Sequence, residues 1–128
     1  MTINTKITMA AAAVFLGFIG IALTFSPNEA AAMAGLQINQ VWQVVLQVLG
    51  GLYFSFAIIN WMAKGAAIGG IYNKPILMGN LSHFVITAIT LVKLTLNNHE
   101  LHYSVYLLTG IYAVFAILFG MMLFRSPV

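Results

Sequence analysis

Four long apolar runs occupy most of this 128-residue chain, and nearly every charged residue lies between them or at the chain ends. Only 5% of the residues are charged and 62% are apolar, whereas a soluble domain carries about 25% charged residues. So few charges cannot cover a water-facing surface, but a surface that faces lipid needs none. The sequence therefore predicts an integral membrane protein with a single domain over residues 1–128, and its scattered basic residues indicate no nucleic-acid partner.

Each apolar run is long enough for one helix to cross the hydrocarbon core, which takes about 20 residues. Helices are expected because an open strand would leave backbone groups unpaired in lipid. Trp42 and Trp61 frame the second run, as tryptophans do at the two membrane interfaces. The predicted fold is all-α, a polytopic membrane protein with four transmembrane helices in an antiparallel bundle. The predicted spans cover about residues 7–25, 41–62, 75–96 and 103–124.

The basic residues predict the orientation of these spans. With an even number of crossings, the two chain ends and the middle loop lie on one side, and four of the five basic residues fall there. These are Lys6, Lys64, Lys74 and Arg125. The positive-inside rule then predicts a multi-pass protein of the cell (inner) membrane with both termini in the cytoplasm. Lys93 is the exception, near the outer end of the third span.

The two predicted outer loops carry helix-capping patterns. Ser26-Pro27-Asn28-Glu29 resembles a capping box, and Gly35 is a plausible helix stop. A short helix over residues 30–34 is therefore expected to lie on the outer membrane surface. Asn97 and Glu100 repeat the capping pattern before the fourth span. The inner loop, with Gly65, Gly69 and Gly70, lacks the phosphate-loop pattern and is expected to be a turn.

Polar and small residues recur on one helical face of each span. Because polar groups in lipid normally face the bundle interior, these stripes are predicted to form the helix contacts. The stripes are Ala10, Ala13, Gly17, Gly20 and Thr24 on the first span; Gln40, Gln43, Gln47 and Gly51 on the second; Asn80, His83, Thr87 and Thr90 on the third; and Tyr103, Tyr106, Gly110 and Ala113 on the fourth.

Depth divides the polar residues into two candidate sites, with an apolar middle that argues against a continuous pore. The candidate outer polar pocket comprises Gln43, Gln47, Thr90, Lys93 and Tyr106. Its lysine is expected to snorkel outward or pair with Glu29 or Glu100, and the alternative is an anion-binding role. The candidate inner polar cluster comprises Asn60, Asn80 and His83.

His83 raises the question of a haem or quinone site. A haem ligand is often paired with a second axial ligand, but His99 and His102 lie at least ~24 Å away along a helix. A lone histidine hydrogen-bonded to Asn80, Asn60 or a carbonyl is therefore expected. His99, Glu100 and His102 lack the spacing of the zinc-protease motif. We expect no catalytic residue, no metal and no cofactor.

A weak internal repeat relates the second and fourth spans. Residues 51–58 (GLYFSFAI) can be aligned with residues 110–117 (GIYAVFAI). Both spans run in the same direction, so a duplication would give a parallel repeat of two helical hairpins. Apolar segments also match by chance, and both explanations stay open.

Several short segments resemble the small DoxX-like four-helix membrane proteins. They are residues 25–29 (FSPNE) followed by Gly35, residues 49–53 (LGGLY) with Asn60-Trp61, and residues 79–81 (GNL). The resemblance implies a four-helix membrane fold and an accessory role, since some members are named as subunits attached to quinone-linked oxidoreductases. It supplies no catalytic residues.

Three functions follow from these features. The first is a non-catalytic accessory subunit or binding module of a larger membrane assembly, with a membrane-protein partner or self-association. It is motivated by the lack of a recognisable catalytic constellation. The alternatives are a small-solute or ion transporter, and a quinone- or lipid-handling redox partner in which His83 and Tyr72 or Asn80 would touch a head group.

Overall fold

The computed structural model describes residues 4–66 and 73–124, and these segments form five helices. Four are long, and α2 is a single short connection between the first two of them. The helices are α1 (Thr5–Phe25), α2 (Pro27–Met33), α3 (Gln40–Ala63), α4 (Lys74–Asn97) and α5 (Tyr103–Leu123). All four long helices are long and apolar enough to cross a membrane. The predicted all-α, four-span architecture is therefore confirmed, and Gly69, Gly70, Tyr72 and Arg125 lie outside the described residues.

Helices α1 and α3 form a close antiparallel hairpin. A Cβ atom added at Gly20 would lie 2.7 Å from the Phe54 backbone nitrogen, and one at Gly50 would lie 2.8 Å from the Gly20 carbonyl oxygen. Only glycine permits this approach, because any side chain would strike backbone atoms of the other helix. The small-residue stripe predicted on α1 is thus confirmed as its contact face, with Ala13 and Gly20 buried.

Helices α4 and α5 form the second hairpin through aromatic packing. The Phe84 ring on α4 stacks on Phe115 at a centroid distance of 4.9 Å and on Phe119 at 5.3 Å. Phe84 and Phe119 are fully buried. Stacked rings supply the dispersion contacts that hold helices together where lipid offers no hydrophobic driving force.

The two hairpins meet through α1 with α5 and through α3 with α4. The Phe15 ring on α1 lies 5.5 Å from Tyr112 and Phe115 on α5. Asn60 on α3 hydrogen-bonds Asn80 on α4. In a parallel repeat, α1 corresponds to α4 and α3 to α5, so these two cross-contacts would be equivalent. The observed arrangement is compatible with a repeat, and the duplication itself stays a prediction.

The first outer loop folds as a helix with a glycine stop. The Leu36 N–H donates to the Ala31 carbonyl and the Gly35 N–H to the Ala32 carbonyl, while Gly35 has φ +80°. This pair of bonds is a Schellman motif and ends α2 as predicted. The helix begins at Pro27 with Ser26 as the N-cap, as the capping pattern predicts, but the Ser26 side chain makes no capping hydrogen bond.

The second outer loop differs from the prediction. Asn97 is the last residue of α4 and does not cap α5. Instead His102 is the N-cap, and its Nδ1 atom accepts a hydrogen bond from the Ser104 N–H. The Ser104 hydroxyl also donates to the Met33 carbonyl, which ties α5 to the end of α2. The start of α5 thus has a local cap and a tertiary hydrogen bond to α2.

Two of the predicted inward stripes face outward. On α3, Gln40, Gln47 and Gly51 are exposed. The close approach is made by Gly50, one residue earlier, and a shift of one residue turns a helix by about 100°. On α5, Tyr103, Tyr106 and Gly110 are exposed. The buried face of α5 consists of Val105, Tyr112, Phe115, Phe119 and Met122.

Candidate functional site

Three polar side chains meet at the centre of the bundle. The Tyr112 hydroxyl lies 2.6 Å from the Tyr53 hydroxyl and 2.9 Å from the Nε2 atom of His83. Each residue stands at least nine residues from both ends of its helix, which is about 13 Å of helix rise. We call Tyr53, His83 and Tyr112 the central cluster. It lies near the middle of the ~30 Å hydrocarbon core, where the sequence predicted an apolar layer.

Aromatic rings hold the imidazole of His83 in place. Its centroid lies 5.1 Å from Tyr53, 5.3 Å from Phe84 and 5.4 Å from Tyr112, each with the edge-to-face geometry that aromatic rings prefer. The ring of Phe56 lies 6.5 Å away and is nearly parallel to the imidazole. The position of the histidine is thus fixed from α3, α4 and α5 together.

Two arrangements of the hydrogens use the Tyr112 hydroxyl as a donor within the central cluster. In one, Tyr53 donates to Tyr112 and Tyr112 donates to the His83 Nε2 atom, so that the His83 Nδ1–H is left without a protein acceptor. In the other, His83 donates through Nε2 to Tyr112, Tyr112 donates to Tyr53, and the Tyr53 hydroxyl hydrogen is left over. A neutral imidazole permits both. Either arrangement leaves one unused donor on His83 or on Tyr53.

Both of those residues line a cavity of about 370 Å³ between α1, α3 and α4. Its other walls are apolar or aromatic, apart from Thr87 on α4. The remaining lining residues are Leu16, Leu49, Leu52 and Phe56. Leu49 and Leu52 are 38% and 63% exposed, so this wall continues onto the outer surface of the bundle. The volume lies within the range of small-molecule pockets, about 300–1,000 Å³.

Two polar atoms of the cavity wall have no protein partner. The described residues contain no fully enclosed side-chain nitrogen or oxygen that lacks a hydrogen bond. No hydrogen bond involves the His83 Nδ1 atom or the Thr87 hydroxyl, so both are accessible. By contrast, the hydroxyls of Thr8, Thr90 and Thr109 each donate to the carbonyl four residues earlier. His83 and Thr87 line the cavity one helical turn apart, and each carries an accessible polar atom without a partner among the described residues.

The two asparagines of the predicted inner polar cluster form a separate buried pair. Asn60 and Asn80 exchange two amide hydrogen bonds of 2.7 Å, and both side chains are fully buried. The Asn80 Nδ2 atom also donates to the Ile76 carbonyl at 2.9 Å. His83 bonds to Tyr112 rather than to either asparagine or a carbonyl. With both amides occupied by each other, Asn80 is not free to bind a head group.

The described hydrogen bonds of the predicted outer polar pocket go to backbone carbonyls. Gln47 donates to the Thr24 carbonyl at 3.3 Å, Thr90 bonds within its own helix, and the Tyr106 hydroxyl donates to the Asn98 carbonyl. Gln43 is half-buried, and Lys93 is exposed. In residues 4–66 and 73–124, no hydrogen bond joins any two of the five, and no ion pair involves Lys93. The predicted pairing with Glu29 or Glu100 is not observed.

The charged loop residues show no metal-binding arrangement. His102 contacts Ser104, and its ring lies 4.5 Å from the Tyr103 ring in a tilted arrangement. Within the described segments no group of three or more histidine, aspartate or glutamate side chains is placed to hold a metal ion.

The sequence analysis did not single out Tyr53 and Tyr112, because each lies within an apolar stretch in the middle of its span and outside the polar stripe assigned to that span. One signal could have found them. The weak repeat aligns Tyr53 with Tyr112, and the two hydroxyls meet across the bundle. Polar atoms at equivalent positions of two repeats can approach each other near the axis that relates the repeats.

Comparisons with protein-family models, curated proteins and solved structures found no significant match to this chain. The DoxX-like resemblance stays a prediction.

Proposed function

We propose that this protein is a non-catalytic accessory subunit of a larger membrane assembly, which it joins through α3. The observation that carries this proposal is a row of polar and small side chains on a lipid-facing part of that helix. Gln43, Gln47, Gly51 and Ser55 follow one another at every fourth residue. The last three are exposed, and Gln43 is half-buried. We call these four residues the α3 row.

Such a row is unfavourable against lipid and favourable against another helix. Gln47 makes one long hydrogen bond to the Thr24 carbonyl, which leaves the rest of its amide without a partner. A transmembrane glutamine gains from a hydrogen-bonding partner across a helix contact. A Cβ atom added at Gly51 would meet nothing within 4 Å, so this glycine serves no contact inside the bundle. Gly51 and Ser55 form the small-x-x-x-small spacing that lets two helices approach closely.

The small number of buried residues on α3 also indicates that this helix contacts the partner. Only three residues of α3 are buried, Gly50, Ala57 and Asn60, although it has 24 residues. We infer that the α3 row receives a transmembrane helix of a different membrane protein. The resemblance to DoxX-like proteins, some of which are named as oxidoreductase subunits, supports an accessory role.

The test is purification from native membranes in a mild detergent, comparing Gly51→Leu with Gly110→Leu. A Cβ atom added at either glycine meets nothing within 4 Å, and the two positions correspond in the repeat. The wild type and Gly110→Leu should elute as a large assembly, and Gly51→Leu should elute as the isolated chain. A wild type that always elutes alone, or as a complex of this chain only, would contradict the proposal.

We further propose an orientation with both termini in the cytoplasm and an inner-membrane location. Lys6, Lys64 and Lys74 lie at the same end of the antiparallel helices. We call this the lysine end, and it is the end that the positive-inside rule assigns to the cytoplasm.

A second candidate function is transport of a small solute. The observation that favours it is His83 near the bilayer middle, since ionisable residues at this depth often mark transport pathways. Flux into proteoliposomes containing purified protein tests this candidate, with His83→Phe as the variant that should abolish it. Equal flux in empty liposomes and in those with wild-type protein would exclude transport of the solutes assayed.

A further inference from the structure

We propose that the cavity between α1, α3 and α4 binds a neutral, lipid-soluble molecule whose planar ring carries a hydroxyl or carbonyl oxygen. The oxygen would lie between the Nδ1 atom of His83 and the hydroxyl of Thr87. This ligand site is separate from the α3 row and goes beyond the accessory role proposed above.

The two free polar groups determine the hydrogen-bonding part of the ligand. His83 and Thr87 are four residues apart, so their side chains share one face of α4. Neither the Nδ1 atom nor the Thr87 hydroxyl has a partner in the described structure, and both residues are half-buried on a membrane-spanning helix. A polar atom without a partner is costly in a low-dielectric environment. One ligand oxygen can satisfy both groups, because a hydroxyl both donates and accepts and the Thr87 hydroxyl can donate to a carbonyl.

The rest of the cavity wall determines the size and polarity of the ligand. No side chain that lines the cavity carries a formal charge, so an ion would lose its hydration without compensation. Tyr53 and Phe56 contribute ring faces and edges, which pack well on a flat ring. Leu49 and Leu52 lie on the exposed edge of the cavity. A ligand can therefore enter from the lipid and leave an apolar tail there.

The central cluster adapts the site to either kind of oxygen. When Tyr53 donates to Tyr112 and Tyr112 to His83, the imidazole presents an Nδ1–H donor, which suits a carbonyl. When the order is reversed, Nδ1 becomes an acceptor, which suits a hydroxyl. Both arrangements use the same two contacts, 2.6 Å between the two tyrosine hydroxyls and 2.9 Å between the Tyr112 hydroxyl and the His83 Nε2 atom. No heavy atom has to move between them.

The experiment measures binding of naphthalene and naphthol to the purified chain in nanodiscs, by equilibrium dialysis against empty nanodiscs. The two probes share a planar ring system and differ only in the hydroxyl. Naphthol should bind about 2- to 10-fold more tightly than naphthalene once partitioning into lipid is subtracted, as expected for the net effect of one hydrogen bond. Thr87→Val should reduce this advantage, because only the His83 hydrogen bond remains, and should leave naphthalene binding unchanged. Thr90→Val, whose hydroxyl bonds within its own helix, is the matched control and should bind both probes like the wild type.

A second readout reports on the imidazole directly. In protein with isotope-labelled histidine, naphthol should shift the ring-nitrogen resonance of His83 and leave those of His99 and His102 in place, whereas naphthalene should shift none of the three. Equal affinity for the two probes, or full naphthol binding in Thr87→Val, would overturn the proposal and leave a purely apolar groove. Failure of both probes to bind would overturn it as well. None of these three results would affect the assembly test on Gly51, which measures a different property.

Discussion

The hydroxyl groups of Tyr53 and Tyr112 lie 2.6 Å apart and link α3 to α5 at the middle of the bundle. The Tyr112 hydroxyl also contacts the Nε2 atom of His83 on α4. One phenol thus connects three of the four long helices. Because Tyr112 makes two of these bonds and Tyr53 makes one, the two tyrosines should differ in their contribution to stability.

Tyr112→Phe is therefore expected to destabilise the fold more than Tyr53→Phe. Interhelical hydrogen bonds in membranes contribute on average about 0.6 kcal/mol and at most about 1.7 kcal/mol each. We expect a loss of about 1–3 kcal/mol for Tyr112→Phe and about half of that for Tyr53→Phe, measured by denaturant unfolding in detergent. Tyr103→Phe is the control, because this tyrosine is exposed and its hydroxyl makes no hydrogen bond to a described residue. Equal losses for the two central variants would contradict the shared role of Tyr112.

The glycine contact between α1 and α3 makes a prediction about two adjacent residues. Gly50→Ala places a Cβ atom 2.6 Å from the Thr24 hydroxyl and 2.8 Å from the Gly20 carbonyl. It should destabilise the protein by about 1–3 kcal/mol, as overpacking does. Gly51→Ala meets nothing within 4 Å and should be neutral or stabilising by up to about 1 kcal/mol, because alanine favours helix. Thermal unfolding of the two variants tests which glycine faces α1. If Gly51 faced α1, as the sequence predicted, Gly51→Ala would be the more destabilised variant.

The Asn60–Asn80 pair predicts strong coupling between two single variants. Asn80→Ala leaves the buried Asn60 amide unpaired, and Asn60→Ala leaves the Asn80 carbonyl oxygen without a donor while its Nδ2 atom keeps the bond to Ile76. Each loss costs about 1–3 kcal/mol. The double variant should lose less than the sum of the two, with a coupling energy of about 0.5–3 kcal/mol. Ser82→Ala, at an exposed position on α4, serves as the control for helix effects. Additive losses in the cycle would mean that the two amides do not depend on each other.

Replacement of Lys93 is expected to change the stability of the protein very little. It is exposed and forms no ion pair with any described residue, so its side chain is free to reach the interface. Lys93→Met should leave the isolated protein folded, with a stability change within about 0.5 kcal/mol. Size-exclusion chromatography and unfolding of the purified variant check this result. A large loss of stability would mean that Lys93 has a structural partner after all.

The architecture could be predicted because the length and composition of a transmembrane helix are set by the bilayer. The four spans lie within two residues of the predicted bounds, and Gly35 ends α2 as expected from its left-handed backbone. The α1 face was also predictable, since a stripe of small residues has one common use between packed helices.

The helix rotations and the central cluster could not be predicted in the same way. On α3, Gly50 and Gly51 are adjacent, and nothing local indicates which of them touches α1. On α5, the polar ends of Tyr103 and Tyr106 suggested an inward face, but Tyr112 and the phenylalanines pack better around Phe84. Rotation depends on shape complementarity between partners, which a periodic pattern in one helix does not contain.

The most direct test of the four-span account is the labelling of single cysteines with a membrane-impermeant maleimide in sealed, right-side-out vesicles. The chain has no cysteine of its own, so Glu29→Cys and Lys64→Cys each introduce a unique target. Glu29→Cys should be labelled in intact vesicles, and Lys64→Cys only after the vesicles are permeabilised. Equal labelling of both positions in intact vesicles would contradict the membrane crossing by α3 that separates them.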